Sequence, residues 1–158
     1  DRGGAKFRFL AYTYDQRNGN WPADDARVPS LDPVKAAADV AAARLRGETV
    51  IVSMHAGWEY HPKPNPYQRA FAKAVVEAGA ACVIGHHPHV VQESEVIAGV
   101  PVFYSLGNLV FDQKDPGTDC GQLAELIFED GRAVKWRLLE TRIRNGAAHL
   151  LHKYEEFR

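Results

Sequence analysis

The sequence predicts an α/β fold: a parallel-sheet core with flanking helices and antiparallel strands toward the C-terminal end. Three observations carry that reading. Two short, mostly apolar runs, at residues 49 to 54 and 80 to 84, have the continuous pattern of strands buried on both faces. Two segments bear complete helix start and stop signals. Past residue 90 the helical grammar gives way to strand-like stretches separated by Gly-containing turns.

Taken in order, residues 6 to 12 alternate polar and apolar positions and suit a strand. Residues 13 to 29, rich in Asn, Asp, Gly and Pro, read as a loop. Asp32 as cap, Pro33 in the first helical position and Gly47 past the last turn delimit a helix. Its apolar positions Val34, Ala37, Ala38, Ala41 and Leu45 are expected to face the core. A strand over 49 to 55 follows. Asn65 as cap, Pro66, Gln68 at the capping-box position and Gly79 delimit a second helix, with Phe71, Val75, Val76 and Ala80 as its buried stripe. Residues 81 to 85 form the next strand. Two strand–helix–strand units imply a parallel sheet with helices on its faces. Residues 90 to 97 and 101 to 105 flank an Ala98-Gly99 turn, and 122 to 128 and 133 to 143 flank Glu129-Asp130-Gly131; each pair predicts a hairpin.

Composition sets outer bounds. The 158 residues suffice for one domain, and 46% hydrophobic with 25% charged residues is ordinary for a globular protein. A net charge of −1 supplies no electrostatic case for nucleic acid or an anionic membrane. No apolar stretch approaches the roughly 20 residues needed to span a bilayer, and no signal peptide is visible. The two cysteines match no metal motif; Cys82 reads as a small buried hydrophobe and Cys120 as a loop residue. The opening Asp1-Arg2-Gly3-Gly4 suggests a chain that began upstream.

The chemistry concentrates at two strand exits. Ile84-Gly85-His86-His87-Pro88-His89 places three of the seven histidines in four positions, and His55 closes the other apolar run with Glu59 and His61 close behind. Open α/β sheets bind ligands beyond the carboxyl ends of their strands, and histidine is the commonest side-chain metal ligand. His87 and His89 flank a proline, so both rings can leave a rigid turn toward one centre. His89, then His87, then His86, together with His55, are therefore the expected ligands of a divalent metal (zinc, manganese or iron). The alternative is that one or two of the rings only hydrogen-bond loop backbone. Glu59 is read either as a carboxylate that orients His55, as a general base, or as a surface residue; His61 as solvated. Asn108 is a contact to substrate or to a ligand histidine, or else a local turn residue, and Gly107 allows close backbone approach. Trp58, Tyr60 and Tyr104 are read as cleft walls or packing, and His149 and His152 as a solvated tail.

These residues carry a resemblance. His55-Ala56-Gly57-Trp58-Glu59-Tyr60, Pro66-Tyr67-Gln68-Arg69, Gly85-His86-His87-Pro88-His89-Val90-Val91-Gln92, and the block from Val102 through Tyr104-Ser105-Leu106-Gly107-Asn108 to Phe111 together resemble the CapA/PgsA family of poly-γ-glutamate capsule biosynthesis proteins. The blocks stand in the family's order and span about residues 6 to 143. The resemblance implies a calcineurin-like metallophosphoesterase fold, a sandwich of two sheets flanked by helices. His-x-His behind a Gly is similar to the metal-binding end motif of those enzymes. It also implies an upstream half bearing a Gly-Asp, an acidic element and an Asn-Asn-His element. Residues 1 to 158 are accordingly expected to be a single domain segment, the C-terminal half, inactive alone and associating with the N-terminal half or another chain.

Three function classes follow. One is a capsule-polymer biosynthesis or export factor at the cell envelope or outside the cell. Another is a metal-dependent hydrolase of phosphoesters or of an anionic polymer, with His55 and Glu59 as catalytic residues and Asn108 and Gly107 toward substrate. The last is an interaction module without metal.

Overall fold

A computed structural model describes residues 4–13, 29–151 and 157. Strands β1 (Phe7–Thr13), β2 (Thr49–His55) and β3 (Cys82–His86) alternate with helices α1 (Pro33–Leu45) and α2 (Pro66–Glu77). Then come β4 (Ser94–Ile97), β5 (Val100–Phe103), β6 (Cys120–Glu129), β7 (Arg132–Arg144) and β8 (Ala147–Leu150). The first sheet has the order β1-β2-β3-β5-β4, parallel except for β4 at its edge; the second is the antiparallel meander β6-β7-β8. The α/β class, the parallel core and the antiparallel C-terminal strands are as the sequence predicts.

Both helices lie on one face of the parallel sheet, and the second sheet covers the other. Right-handed crossovers explain this. The strand order β1, β2, β3 advances in a single direction, so both connections return over the same face. On that face Val50, Val52, Met54, Val83, Val102 and Tyr104 pack against Ala36, Val40, Ala43, Phe71, Val75 and Val76. On the other, Ile51, Cys82 and Phe103 meet Ala124, Leu126, Phe128, Trp136 and Leu138 of the second sheet. Cys82 is fully buried, which pushes its thiol up to about 12 and makes it a small hydrophobe.

The helix termini follow the sequence. Asp32 accepts from the backbone N–H of Val34 and Lys35, and Asn65 and Gln68 complete a reciprocal capping box. The α2 stripe is buried as expected, whereas the α1 face is rotated from the reading. Ala36, Val40 and Ala43 are buried, while Val34 is 77% and Leu45 90% exposed. Eight of the thirteen residues are alanine or valine, so apolarity alone does not mark a face. Three strand expectations also need adjustment. The strand expected over 90 to 97 begins only at Ser94, its partner ends at Phe103, and β8 was not anticipated. The last two hairpins turn through left-handed pairs, Asp130-Gly131 and Asn145-Gly146. The loop expected over 13 to 29 lies, from 14 to 28, outside the described residues, as does His152.

Candidate functional site

The parallel register brings the strand exits level. Thr13 pairs with His55, and His55 with His86. Because side chains alternate along a strand, His55 follows Ile51 and Ser53 on the second-sheet face, and His86 follows Cys82 and Ile84. Their ring centroids are 5.0 Å apart. A cavity of about 330 Å³ opens beside them, lined by Tyr12, Thr13, Ser53, His55 and His86.

After β3 the chain makes a strained turn. His87 has φ 107° and His89 φ 61°, and Tyr60 in the facing loop has φ 61°. Such conformations are rare for residues with a Cβ and collect at functional sites. Backbone bonds stitch the two loops: Ala56 N–H donates to His86 O (3.0 Å) and Tyr60 N–H to Pro88 O (2.8 Å). Gly57 sits where a Cβ would lie 2.8 Å from Pro88 Cγ, so no larger residue fits without moving the turn. The result brings the His87 ring to 4.7 Å from His55 and 6.3 Å from His89.

Asn108 fixes the chemistry of His89. The Asn108 amide nitrogen donates to Thr118 O (3.0 Å) and to Gln113 Oε1 (3.2 Å). A backbone carbonyl only accepts, so the Asn108 oxygen must be the atom facing His89 Nδ1, 3.0 Å away. His89 Nδ1 therefore carries the hydrogen, which leaves the Nε2 lone pair for a ligand. Gln113 in turn donates to the Tyr60 hydroxyl (2.7 Å), and the Tyr60 and Phe111 rings flank His89. Gly107, with φ 71°, lies where a Cβ would come within 2.6 Å of Cys120 O, which lets the Asn108 loop close on the second sheet.

Three of the imidazoles, His55, His86 and His87, are biased toward the neutral form. Burial first, then the charges of His86, His87 and His89, lower His55 to about 4. His86 is lowered by burial and by His87. For His87, burial lowers the value, Glu59 opposes it, and His89 adds to the lowering. Glu59 is exposed, and its field acts on His87. His61 stacks edge-on against Trp58 (5.4 Å). Tyr104 is buried on the helix side beneath the Arg69 guanidinium and does not wall this cleft. His149 lies on exposed β8.

The structure thus gathers His55, His86, His87, His89, Asn108 and Glu59 at one end of the sheet. Among the described residues, however, no three His, Cys, Asp or Glu side chains converge in a metal-holding arrangement. The sequence reading missed Gln113 and Thr118. Neither carries a local signal, since Gln113 reaches Tyr60 across 53 residues.

Residues 1–113 match the family model described as "Bacterial capsule synthesis protein PGA_cap". This chain belongs to that family. The PGA_cap fold is of the metallophosphoesterase kind, in keeping with the two-sheet sandwich seen here. Among relatives, it is 40% identical over 116 residues to the capsule biosynthesis protein CapA of Bacillus anthracis, covering 73% of this chain and 26% of the relative. It is 44% identical over 96 residues to the PGA biosynthesis protein CapA of Bacillus subtilis, covering 60% and 23%. A probable polyglutamine synthesis accessory protein of Mycobacterium tuberculosis is 37% identical over 96 residues, covering 60% and 24%. The chain therefore spans about a quarter of the length of these PGA_cap relatives. No helix among the described residues is long and apolar enough to cross a membrane.

The metallophosphoesterase kind of fold implies divalent metal, and the donor chemistry here suits one in part. Imidazole nitrogen, as at His89 Nε2 once Nδ1–H is bonded to Asn108, matches zinc, manganese or iron. Among the described residues the histidines supply nitrogen donors, and no group of three or more His, Cys, Asp or Glu converges.

Proposed function

We propose that this PGA_cap chain contributes the histidine side of a metal-dependent site that acts on an anionic polymer or phosphoester during poly-γ-glutamate capsule synthesis or export at the cell envelope. The single observation that carries this reading is His89. Its Nδ1–H is tied down by a buried Asn108 whose own orientation is forced, so Nε2 is the nitrogen left as an acceptor. Fixing the far nitrogen of an imidazole is how proteins prepare it as a metal ligand.

In this reading His89 and His87 hold the metal with His55 or His86 beside them. A bound divalent ion supplies Lewis-acid polarisation of a phosphoryl or carbonyl oxygen. The chain's own residues do the rest. His55, held neutral at a strand end, is placed to accept a proton there. Glu59 biases the proton affinity of His87. Asn108 orients the His89 ring, and Gly107 lets its loop approach Cys120 at the start of the second sheet.

The test is metal content by elemental analysis, with zinc and manganese titrations followed calorimetrically, in the protein and in a His87→Ala/His89→Ala double variant. Binding that disappears in the variant supports the reading, and phosphoester and γ-glutamyl turnover then separates hydrolase from polymer-binding factor. No binding to either protein removes the metal reading and favours the interaction module.

A further inference from the structure

Beneath the cleft lies a buried run of amide groups that the site chemistry does not use. Gln68 is fully buried and Gln92 is 4% exposed. The Asn65 backbone N–H donates to Gln68 Oε1 (2.9 Å), which leaves the Gln68 nitrogen as the donor to Gln92 Oε1 (2.9 Å) and Tyr104 O (3.3 Å). The Gln92 nitrogen then donates to two backbone carbonyls, His61 O (2.8 Å) and Lys63 O (3.1 Å). Every polar atom in this run has one possible role, because a backbone N–H fixes one end and backbone carbonyls fix the other. The direction of the whole ladder is forced.

Its anchors matter more than its length. Gln68 belongs to the first turn of α2, Gln92 lies three residues beyond His89, and residues 61 and 63 end the loop that starts at His55. The ladder thus ties the far end of the Glu59 loop to the exit of the histidine turn, through the helix cap. Backbone bonds at Ala56 and Tyr60 tie the near end. Gly57 fills the space between, where a Cβ would stand 2.9 Å from Gln68 Oε1.

We infer that Gln68 and Gln92 are positioning residues: a buried amide ladder that sets the register of the loop carrying Glu59 against the turn carrying His87 and His89. The inference deepens the proposed metal site and rests on that reading for its functional meaning. Its structural content is independent of metal.

The experiment is hydrogen exchange on the whole protein and on Gln92→Met, with zinc titration of both. Methionine matches the length of glutamine and offers no donor to residues 61 and 63. The expected result is about tenfold faster exchange at the Ala56 and Tyr60 amides, the scale of one lost hydrogen bond, with the β2–β3 amides little changed. Zinc affinity should fall about tenfold, the scale of the bond lost between the loop and the histidine turn. Exchange that rises equally at Ala56, Tyr60 and the β2–β3 amides shows a merely structural role and overturns the inference, as does no change. If the unsubstituted protein binds no zinc, the metal reading fails while exchange still judges the ladder. Should Gln92→Met not fold, the unsubstituted protein suffices. Side-chain NH₂ protons of Gln68 and Gln92 that exchange as fast as those of an exposed glutamine overturn the ladder, and slow exchange upholds it.

Discussion

Replacing Asn108 by leucine tests the centre of the site, because one side chain holds three partners there. Asn108 is 8% exposed and bonds His89 Nδ1, Gln113 Oε1 and Thr118 O. Leucine has a similar volume and none of these bonds. At about 1 kcal/mol net for each, the loss is about 3 kcal/mol. Thr118 is fully buried, so its carbonyl has no ready replacement partner and adds about 1 kcal/mol. The apolar atoms of leucine return about 1 kcal/mol. The expected net loss is therefore about 3 kcal/mol, read by urea denaturation at pH 7 as a lower midpoint with unchanged slope. Long-range nitrogen–proton NMR on the His89 ring provides a second readout. In the unsubstituted protein the hydrogen sits on Nδ1, and in Asn108→Leu that preference is lost. A loss under about 0.5 kcal/mol, far below the worth of the bonds, or a hydrogen found on Nε2 at the outset, refutes the reasoning.

Other outcomes follow from the same geometry. His55 has a folded value of about 4 against an ordinary 6.5, so the unfolded chain binds more protons between those values. Its contribution is fully present above pH 6.5 and is lost as pH falls toward 4. Since the His55 ring is only half-buried at its strand end, screening reduces the change to about 1–2 kcal/mol; a His55→Asn variant should flatten that part of a stability–pH curve. Gly85→Ala would place a Cβ 2.0 Å from Tyr104 O, between β3 and β5, and should cost more than about 3 kcal/mol or abolish folding; a soluble variant with near-normal stability in denaturant would contradict the close approach. Phe9 on β1, at the edge of the described sheet, is 70% exposed on the face opposite α1. Sedimentation velocity should show concentration-dependent association that Phe9→Lys weakens; a monomer at all concentrations would go against it.

How much of this was legible in the sequence depends on whether the signal was local. The α2 capping box reads directly from Asn65, Pro66 and Gln68, because a cap is a contact between near neighbours. The strand exits at His55 and His86 were legible for the same reason. The orientation of α1 was not: an alanine-rich helix presents several equivalent faces, and tertiary packing selected Ala36, Val40 and Ala43. The turn before β8 was written plainly as Asn145-Gly146, a strong hairpin signal that the shortness of the four-residue strand after it obscured. Helices on only one face follow from strand order, which no single segment encodes. The site partners are the least legible part. Asn108 meets His89 across 19 residues, and Gln92 meets Gln68 across 24. Only the assembled sheet brings them together.

The backbone of the histidine turn gives a separate test of what that turn is for. At φ 107°, His87 occupies a region that glycine enters freely and residues with a Cβ enter at a cost of about 1–3 kcal/mol. A turn selected for stability alone would carry glycine there, as Gly99 and Gly131 do in the hairpins. Histidine at this position therefore points to a role for its ring beside His55 and His89. The comparison that isolates the backbone is His87→Ala against His87→Gly, since both remove the ring and only one removes the Cβ. His87→Gly should be the more stable of the two by about 1–2 kcal/mol in denaturant. Both should lose metal binding alike. Equal stability of the two variants would mean that the turn relaxes out of the left-handed region once the ring is gone. In that case the surrounding bonds at Ala56 and Tyr60 do not impose the strain, and the ring itself does.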